Sequence, residues 1–254
     1  FLFITYHGGG ISYKNHNFDH DEKISDKVLV WHNPTRPNQI KLPSLSVNKK
    51  ISRKSSENIL ITLFPNRSYH VIRCDNGPLS TQCFDDFIEK KEFIEKIEGS
   101  INNIKVRIAR QVYMHDIWNF KKRLIKSFGE NIIDKEKSFS ESLSKAKIHI
   151  SGYPATTMSE SIASNIPTIC LYNKDFWEFS ELHKDLVSEM KKNNVLIDDK
   201  NAATIFLKKI NKNINDWWFS KDVQYVINEY KYKIHYLSKD GVKPWVNFIK
   251  ENIC

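Results

Sequence analysis

The stretch Ser151-Gly-Tyr-Pro-Ala-Thr-Thr-Met-Ser-Glu160 continues into Ser161-Ile-Ala-Ser-Asn-Ile-Pro167 and the apolar run Thr168-Ile-Cys-Leu-Tyr172. This order of residue types predicts a strand, a polar loop, a short helix, a break at Asn and Pro, and a second strand. A helix N-terminus presents N–H groups and a positive partial charge, so the unit would aim an anion-binding helix end at a sheet edge. The stretch therefore predicts an α/β fold with a phosphate-binding loop.

Apolar and amphipathic segments alternate through residues 58–215. Strands are predicted at Ile59-Leu-Ile-Thr-Leu-Phe64, Lys105-Val-Arg-Ile-Ala109, Lys147-Ile-His-Ile150, Thr168-Ile-Cys-Leu-Tyr172 and Val195-Leu-Ile197. Helices are predicted at about residues 84–98, 117–128, 138–146, 157–164, 181–192 and 202–211. Such alternation predicts a Rossmann-type parallel sheet with helices on both faces and ligands at the carboxyl ends of its strands.

The remaining segments suggest how the chain is divided into domains. Residues 1–33 contain two further predicted strands and are expected to be the end of an N-terminal domain on the acceptor side. Residues 34–57 carry three prolines and several serines, which predicts a linker. Residues 216–254 are helical and aromatic and should pack back across both domains. Because the first residues already form a strand and lack Met, we expect a longer protein.

The chain has 254 residues, a net charge of +9 and a pI of about 9.2. Its lysines lie in scattered pairs beside acidic residues, which favours a solvated surface over a nucleic-acid interface. No apolar run reaches the roughly 20 residues of a transmembrane helix, and the first residues do not resemble a signal peptide. Its four cysteines have no CxxC spacing, so we expect a protein of the reducing cytoplasm.

Several catalytic motifs are missing from the sequence. It contains no G-x-S-x-G elbow of esterases, no G-x-x-x-x-G-K-[ST] phosphate loop and no G-x-G-x-x-G dinucleotide motif. His16 and His20, with Asp19 and Asp21 nearby, would suit a metal if they lay on a helix, but two such histidines are more often solvated. The sequence therefore predicts no metal site.

Five features in one order resemble the transferases of bacterial surface-polysaccharide (lipopolysaccharide and capsule) loci, which are GT-B glycosyltransferase-like. They are Tyr153-Pro-Ala-Thr-Thr-x-x-Glu160 with Asn165-x-Pro167, His7-Gly-Gly-Gly10, Ile24-Ser-Asp26 before a strand ending in Trp31, Arg110 closing a strand, and Asp216-Trp-Trp218 before a helix with Gln224 and Tyr230. The resemblance spans nearly the whole chain, although most of the family's N-terminal domain is missing from it.

The resemblance implies transfer of a sugar from a nucleotide-activated donor to a glycan or lipid-linked acceptor, without a cofactor. It also implies a location in the cytoplasm, with peripheral contact at the inner membrane. A polyol-phosphate transferase, a sugar-nucleotide epimerase, and a non-catalytic nucleotide- or polysaccharide-binding module remain alternatives.

On the donor side, the resemblance implies that Ser151, Pro154, Thr156 and Thr157 surround the phosphates while Glu160 accepts hydrogen bonds from the ribose hydroxyls. Thr157-x-x-Glu160 also fits a capping box, which would stabilise the helix without any ligand. Arg110 would face the leaving phosphate, and its alternative is an ordinary surface ion pair.

On the acceptor side, His7 would act as the general base, because its pKa lies near neutral pH. Gly8, Gly9 and Gly10 would let the backbone approach a sugar or phosphate closely. The alternative for His7 is a ring packed against the glycine turn. Asp26 is a second catalytic candidate, and it would equally suit an N-cap or turn position before its strand.

We predict that His7→Ala abolishes transfer by the full-length protein while donor binding persists, because a base would act on the acceptor hydroxyl rather than on the donor. Turnover and donor affinity are measured side by side. A parallel loss of donor affinity would assign His7 to binding instead.

Overall fold

The computed structural model describes residues 2–5, 19–44, 51, 57–64, 77–79, 81–108 and 118–252. A small sheet is formed by β1 (Phe3–Thr5), β2 (Lys27–Val30) and β3 (Gln39–Lys41), which lie parallel in the order β1-β2-β3, and helix α1 (Asp19–Ile24) precedes β2. The strands predicted near residues 2–6 and 27–31 are therefore present, and Tyr6 lies outside the described residues.

Strand β3 lies within the segment predicted to be a linker. Pro34 and Pro37 fall in the loop before it, where a missing backbone N–H costs no ladder hydrogen bond. Leu42, directly after β3, is buried in a cluster with Leu29 of β2. Because prolines are rare in strands, the sequence pattern did not predict this three-residue strand, which forms an edge of the small sheet.

The larger sheet has five parallel strands in the order β5-β4-β6-β7-β8. Its strands are β4 (Asn58–Leu63), β5 (Ile104–Ile108), β6 (Ala146–Ser151), β7 (Thr168–Leu171) and β8 (Leu196–Ile197). The helices that follow α1 are α2 (Gln82–Ile97), α3 (Phe120–Phe128), α4 (Phe139–Ser144), α5 (Thr156–Ala163), α6 (Lys184–Lys192), α7 (Lys200–Ile210), α8 (Ile214–Trp218), α9 (Lys221–Lys233) and α10 (Lys243–Asn252). The predicted parallel α/β sheet is confirmed, with some element ends shifted.

The sheet is covered on both faces, as the continuous apolar strands require. On β4, Ile59, Ile61 and Leu63 point to the face covered by α2 and α7. Leu60 and Thr62 point to the other face, where α5, α6 and α9 pack on a second cluster. Within the described residues, no helix is both long and apolar enough to cross a bilayer.

The end of α9 runs across to the small sheet. Tyr236 N–H donates to Trp31 O at 2.8 Å, and Asn33 N–H donates to Lys233 O at 3.2 Å. Both acceptor and donor on the small sheet follow the carboxyl end of β2. Helix α10 then buries Phe248 on Leu29, so the C-terminal helices contact both sheets.

The turn after α5 is fixed by polar contacts with α8 and α9. Asn165 has a left-handed backbone, with φ of 54°, and its side-chain oxygen accepts from Trp218 Nε1 at 3.1 Å and from Gln224 Nε2 at 3.4 Å. Trp218 is fully buried. Asn165, Trp218 and Gln224, which belong to the features that carry the family resemblance, therefore have a structural role.

We predict that Asn165→Ala lowers the free energy of unfolding by about 2 kcal/mol, because Ala resists the left-handed conformation and leaves the buried Trp218 N–H to the more distant backbone oxygen of residue 165, at 3.3 Å. Chemical denaturation measures the change. Asn165→Gly is the matched control, since it restores the backbone freedom alone. Equal stability of the Ala variant and the natural protein would contradict the structural role.

Candidate functional site

The carboxyl ends of β4 and β6 approach each other too closely for a side chain. Gly152, directly after β6, donates its N–H to Thr62 O at 2.8 Å. A Cβ built on Gly152 would lie 2.6 Å from that same oxygen, a separation that real Cβ atoms essentially never show. Only glycine fits at this position. Directly after it, the chain leaves the sheet and turns over the sheet's edge through residues 152–155 into α5.

A buried chain of hydrogen bonds fixes α5 on the sheet. His149 Nε2 lies 2.9 Å from Thr62 Oγ1, and His149 Nδ1 lies 2.7 Å from Ser161 Oγ. Ser161 Oγ donates to Thr157 O at 2.8 Å. Every group is satisfied when Thr62 donates to Nε2 and Nδ1–H donates to Ser161. Burial lowers the pKa of His149 to about 3, so its ring is neutral at physiological pH.

Helix α5 begins at Thr156 without a side-chain cap. The N-cap residue is Ala155, which has no side-chain oxygen to accept from the first N–H groups of the helix. The capping-box interpretation of Thr157 and Glu160 is therefore wrong, because the helix begins before Thr157. A capping box does occur in the described residues at Ser138 and Glu141, before α4.

The predicted phosphate-binding residues divide into two groups. Ser151 is fully buried, and its hydroxyl donates to Tyr153 O at 2.7 Å and lies 3.3 Å from Thr157 Oγ1. Pro154 is buried as well. Thr156 and Thr157 are half-buried at the start of α5. Ser151 and Pro154 therefore shape the loop, and the two threonines lie where a ligand can reach them.

Glu160 occupies the half-exposed face of α5, one turn beyond Thr156. Its carboxylate forms no hydrogen bond or ion pair with any described residue. Burial raises the pKa of Glu160 from its ordinary 4.5 to about 7. A half-buried carboxylate without a protein partner lowers stability, and hydroxyl groups of a ligand would satisfy it.

Of the predicted catalytic residues, Asp26 lies within the described structure, and it is found away from this edge. Asp26 precedes β2 at the amino end of the small sheet, where its carboxylate accepts from Leu2 N–H at 2.7 Å. This contact matches the turn role that the sequence also allowed for Asp26. His7, Gly8, Gly9, Gly10 and Arg110 lie outside the described residues, so their assignments stay predictions.

A buried ionic cluster supports the loop from below, and sequence patterns did not reveal it. Lys90 of α2 is 1% exposed and pairs with Asp86 at 3.1 Å and with Glu89 at 3.5 Å. Its Cε would lie 3.7 Å from a Cβ on Gly152. Glu89 also accepts from Asn173 Nδ2, after β7, at 2.9 Å. The only sequence signal was an i, i+4 charge pair, which is usually a surface feature.

The two aromatic residues of α8 belong to the interior. Trp217 is partly buried against Phe206 and donates its indole N–H to Asn193 O at 3.1 Å, and Trp218 is fully buried. Arg107 of β5 has a structural role. It pairs with Asp134 at 2.7 Å. Among the described residues, no cluster of His, Cys, Asp and Glu could hold a metal.

Comparisons with known proteins agree with this architecture. The family described as LIC12162 family transferase matches residues 2–249. The structure of TarM is 13% identical with a TM-score of 0.51, covering 96% of this chain and 49% of that chain. The wall teichoic acid polymerase TagF is 10% identical with a TM-score of 0.52, covering 99% of this chain and 67% of that chain. No curated protein matches the sequence.

Two conclusions follow from these comparisons. The likeness to solved structures confirms the predicted GT-B-like fold. The chain spans about half the length of the TarM chain.

We predict that Gly152→Ala lowers the free energy of unfolding by at least about 2 kcal/mol, because the added methyl group collides with Thr62 O and must displace the centre of the sheet. Thermal denaturation measures the effect. Gly129→Ala is the control. A Cβ at Gly129 meets nothing within 4 Å, and the φ of 78° at Gly129 is itself unfavourable for Ala. A smaller loss at residue 152 than at residue 129 would contradict the close approach.

Proposed function

The chain belongs to the LIC12162 family of transferases, and we propose that it moves a sugar from a nucleotide-activated donor to an acceptor in the synthesis of a surface polysaccharide. The single observation that carries the proposal is Glu160. Its half-buried carboxylate, which has no partner among the described residues, follows the uncapped start of α5 by one turn, at the carboxyl edge of the sheet. In open α/β sheets, ligands bind outside this edge.

The donor phosphates would lie at the start of α5. The backbone N–H groups there and the hydroxyls of Thr156 and Thr157 would donate to the phosphate oxygens. In a transfer reaction the leaving group is the nucleotide, and negative charge grows on its phosphate as the glycosidic bond breaks. Donors fixed in advance stabilise that charge more in the transition state than in the ground state.

Glu160 would hold the ribose one turn further along the helix. Two vicinal hydroxyls suit a carboxylate, because each O–H can donate to one of its oxygens. Such contacts favour the ionised form, so they oppose the effect of burial on the pKa of Glu160. Donor binding and loss of the Glu160 proton are therefore coupled.

The groups that activate the acceptor are those predicted from the sequence. His7 would take the proton from the acceptor hydroxyl, with Gly8, Gly9 and Gly10 shaping the loop around it. Arg110 would add a cation beside the leaving phosphate. This proposal requires no metal ion or other cofactor. Asp26 is a weaker candidate for catalysis, because its carboxylate binds Leu2 N–H at the amino end of β2.

Polyol-phosphate transfer is a second candidate function. The observation that favours it is the similarity in fold to the wall teichoic acid polymerase TagF. Both reactions would use a donor that contains a nucleoside diphosphate, bound in the same way. They differ in whether one phosphate is transferred to the acceptor together with the sugar or polyol. Mass analysis of the product distinguishes them, because only polyol-phosphate transfer adds phosphorus to the acceptor.

We place the reaction in the cytoplasm, at the inner face of the membrane where a lipid-linked acceptor would be found. Cys83 and Cys170 are both buried, and the sequence has no Cys-x-x-Cys spacing, a pattern that fits a reducing compartment.

We predict that Glu160→Gln weakens nucleotide binding by about tenfold, because the amide carries no charge and offers one acceptor oxygen instead of two. Calorimetry with CMP, CDP, UDP and GDP first identifies the base. For the natural protein, affinity for the matching nucleoside should rise with pH up to about pH 7, where Glu160 ionises. Glu160→Gln should remove that dependence.

The exposed Glu181 provides the matched control, and Glu181→Gln should keep both the affinity and its pH dependence. A nucleoside has no phosphate that titrates in this range, so the slope reports on the protein. Turnover that is lost without a change in nucleotide affinity would place Glu160 outside the ribose site. Binding of none of the four nucleotides by the full-length protein would refute the proposed function.

The stability of the folded protein should also depend on pH through the ionisation of Glu160. The pKa of Glu160 is higher in the folded chain than in the unfolded chain, so the folded state binds more protons between about pH 4.5 and 7. Its stabilising effect is present below that window and is lost as the pH rises through it. We therefore predict that Glu160→Gln raises the melting temperature at about pH 8 and hardly changes it at about pH 4. A lower melting temperature at the higher pH would contradict this assignment.

A further inference from the structure

Helix α9 lies beside α5 and runs in the opposite direction. The hydroxyls of Ser159 and Tyr230 are 2.6 Å apart in the buried contact between the two helices. Six residues further along, Asn165 after α5 contacts Gln224 in the first turn of α9. The residue numbers rise on one side as they fall on the other, so the two segments are antiparallel.

This contact fixes which side chains share one side of the helix pair. Each residue of an α-helix is turned by about 100° from the one before it, always in the same sense along the chain. In two antiparallel helices, the residues that directly follow a facing pair therefore turn toward the same side. Ser159 and Tyr230 face each other, so Glu160 and Lys231 both point to that one side.

The pattern of burial supports the geometry. On α9, the residues that face the interior are fully buried, and they are Val223, Val226, Ile227 and Tyr230. Gln224 and Lys231 lie along the adjoining half-buried stripe. On α5, Thr156 and Glu160 form the corresponding half-buried stripe. The two stripes therefore lie on the same side of the helix pair, and the space between them is called the groove below.

Lys231 has no counter-ion within the part of the chain that the structure describes. Its ammonium forms no hydrogen bond or ion pair with any described residue, whereas Lys233, two residues on, pairs with Glu229 at 2.8 Å. Burial lowers the pKa of Lys231, with no acidic group opposing the shift. A half-buried cation without an anion costs folding free energy, as does the unpartnered carboxylate of Glu160.

Lys231 also lies on the part of α9 that connects the two sheets. Tyr230 contacts α5 on the large sheet, and the carbonyl of Lys233 accepts from Asn33 N–H beyond the carboxyl end of β2. Lys231 stands between these two contacts along α9. A ligand on the start of α5 would therefore come within reach of Lys231 before it reached the small sheet.

We propose that Lys231 binds the phosphate groups of the nucleotide donor, across the groove from Glu160. This inference rests on the proposed function and assigns the second half of its donor site. A long, flexible ammonium side chain suits a diphosphate, because its three donors can follow oxygens that move as the bond breaks. Glu160 selects hydroxyls and Lys231 selects anions, so together they select a nucleoside diphosphate over a neutral sugar.

The test compares Lys231→Met with Lys231→Arg and with Lys221→Met, a control at an exposed position on the same helix. Three probes are titrated calorimetrically into the full-length protein: the matching nucleoside diphosphate, the nucleoside alone and inorganic pyrophosphate. Lys231→Met should weaken diphosphate and pyrophosphate binding about tenfold and change nucleoside binding less than about twofold. Its melting temperature should be unchanged or higher, because an unpaired half-buried charge is removed.

Lys231→Arg should keep diphosphate affinity within about threefold, since the charge is retained. Lys221→Met should match the natural protein. Unchanged diphosphate affinity in Lys231→Met would overturn the inference, as would an equal loss for the nucleoside or a fall in melting temperature that accompanies the lost affinity. If the natural protein bound pyrophosphate through Lys231 but no nucleoside, the proposed function would fail and the anion site would stand.

Discussion

The close approach of β6 to β4 at Gly152 constrains everything above the large sheet. The Gly152 N–H binds Thr62 O at 2.8 Å, and no Cβ fits at this point. Because the chain is held against its neighbour until this residue, the loop that follows is short and starts from a fixed place. Helix α5 must then begin above the carboxyl edge with its N–H groups facing outward. The buried pair of Lys90 and Asp86 fills the space beneath the same glycine.

Position alone does not determine which side of α5 faces a ligand, and polar contacts settle that rotation. His149 bridges Thr62 and Ser161 beneath the helix, and the hydroxyl of Ser159 meets that of Tyr230 beside it. Apolar side chains would pack α5 with a similar gain in free energy, but they tolerate small rotations. Buried hydrogen bonds lose most of their value when they are misaligned, so they specify one orientation. That orientation leaves Glu160 on the open side.

Sequence patterns captured the elements that depend on local residue order. Ile59-Leu-Ile-Thr-Leu-Phe64 is a continuous apolar run, and it forms the central strand of a sheet covered on both faces. Sequence patterns gave wrong predictions where contacts between distant parts of the chain determine the structure. Strand β3 was hidden by Pro34 and Pro37, because its pairing with β2 outweighs a poor local propensity. Thr157-x-x-Glu160 matched a capping box, but the N-cap of the folded helix lies two residues earlier, at Ala155 after the turn that follows Gly152.

The properties of Glu160 and Lys231 belong to the same second class. Each residue is unremarkable in the sequence, where most charged residues are solvated. Their burial arises from the antiparallel contact of α5 and α9, which are separated by about 60 residues of sequence. Lys90 is similar, since an i, i+4 pair with Asp86 gives no indication that both charges are buried. Such features depend on packing between distant elements, so only the folded structure reveals them.

Glu160 and Lys231 carry opposite charges and neither has a partner among the described residues, which indicates the kind of ligand that the groove would bind. Had they been close enough to pair, they would have satisfied each other and the groove would need no guest. They do not pair, so each carries its own desolvation cost into the folded state. A simple anion would satisfy Lys231 alone, and a neutral glycan would satisfy Glu160 alone. A nucleoside diphosphate carries hydroxyls at one end and phosphates at the other, so a ligand of this class would offset both costs at once.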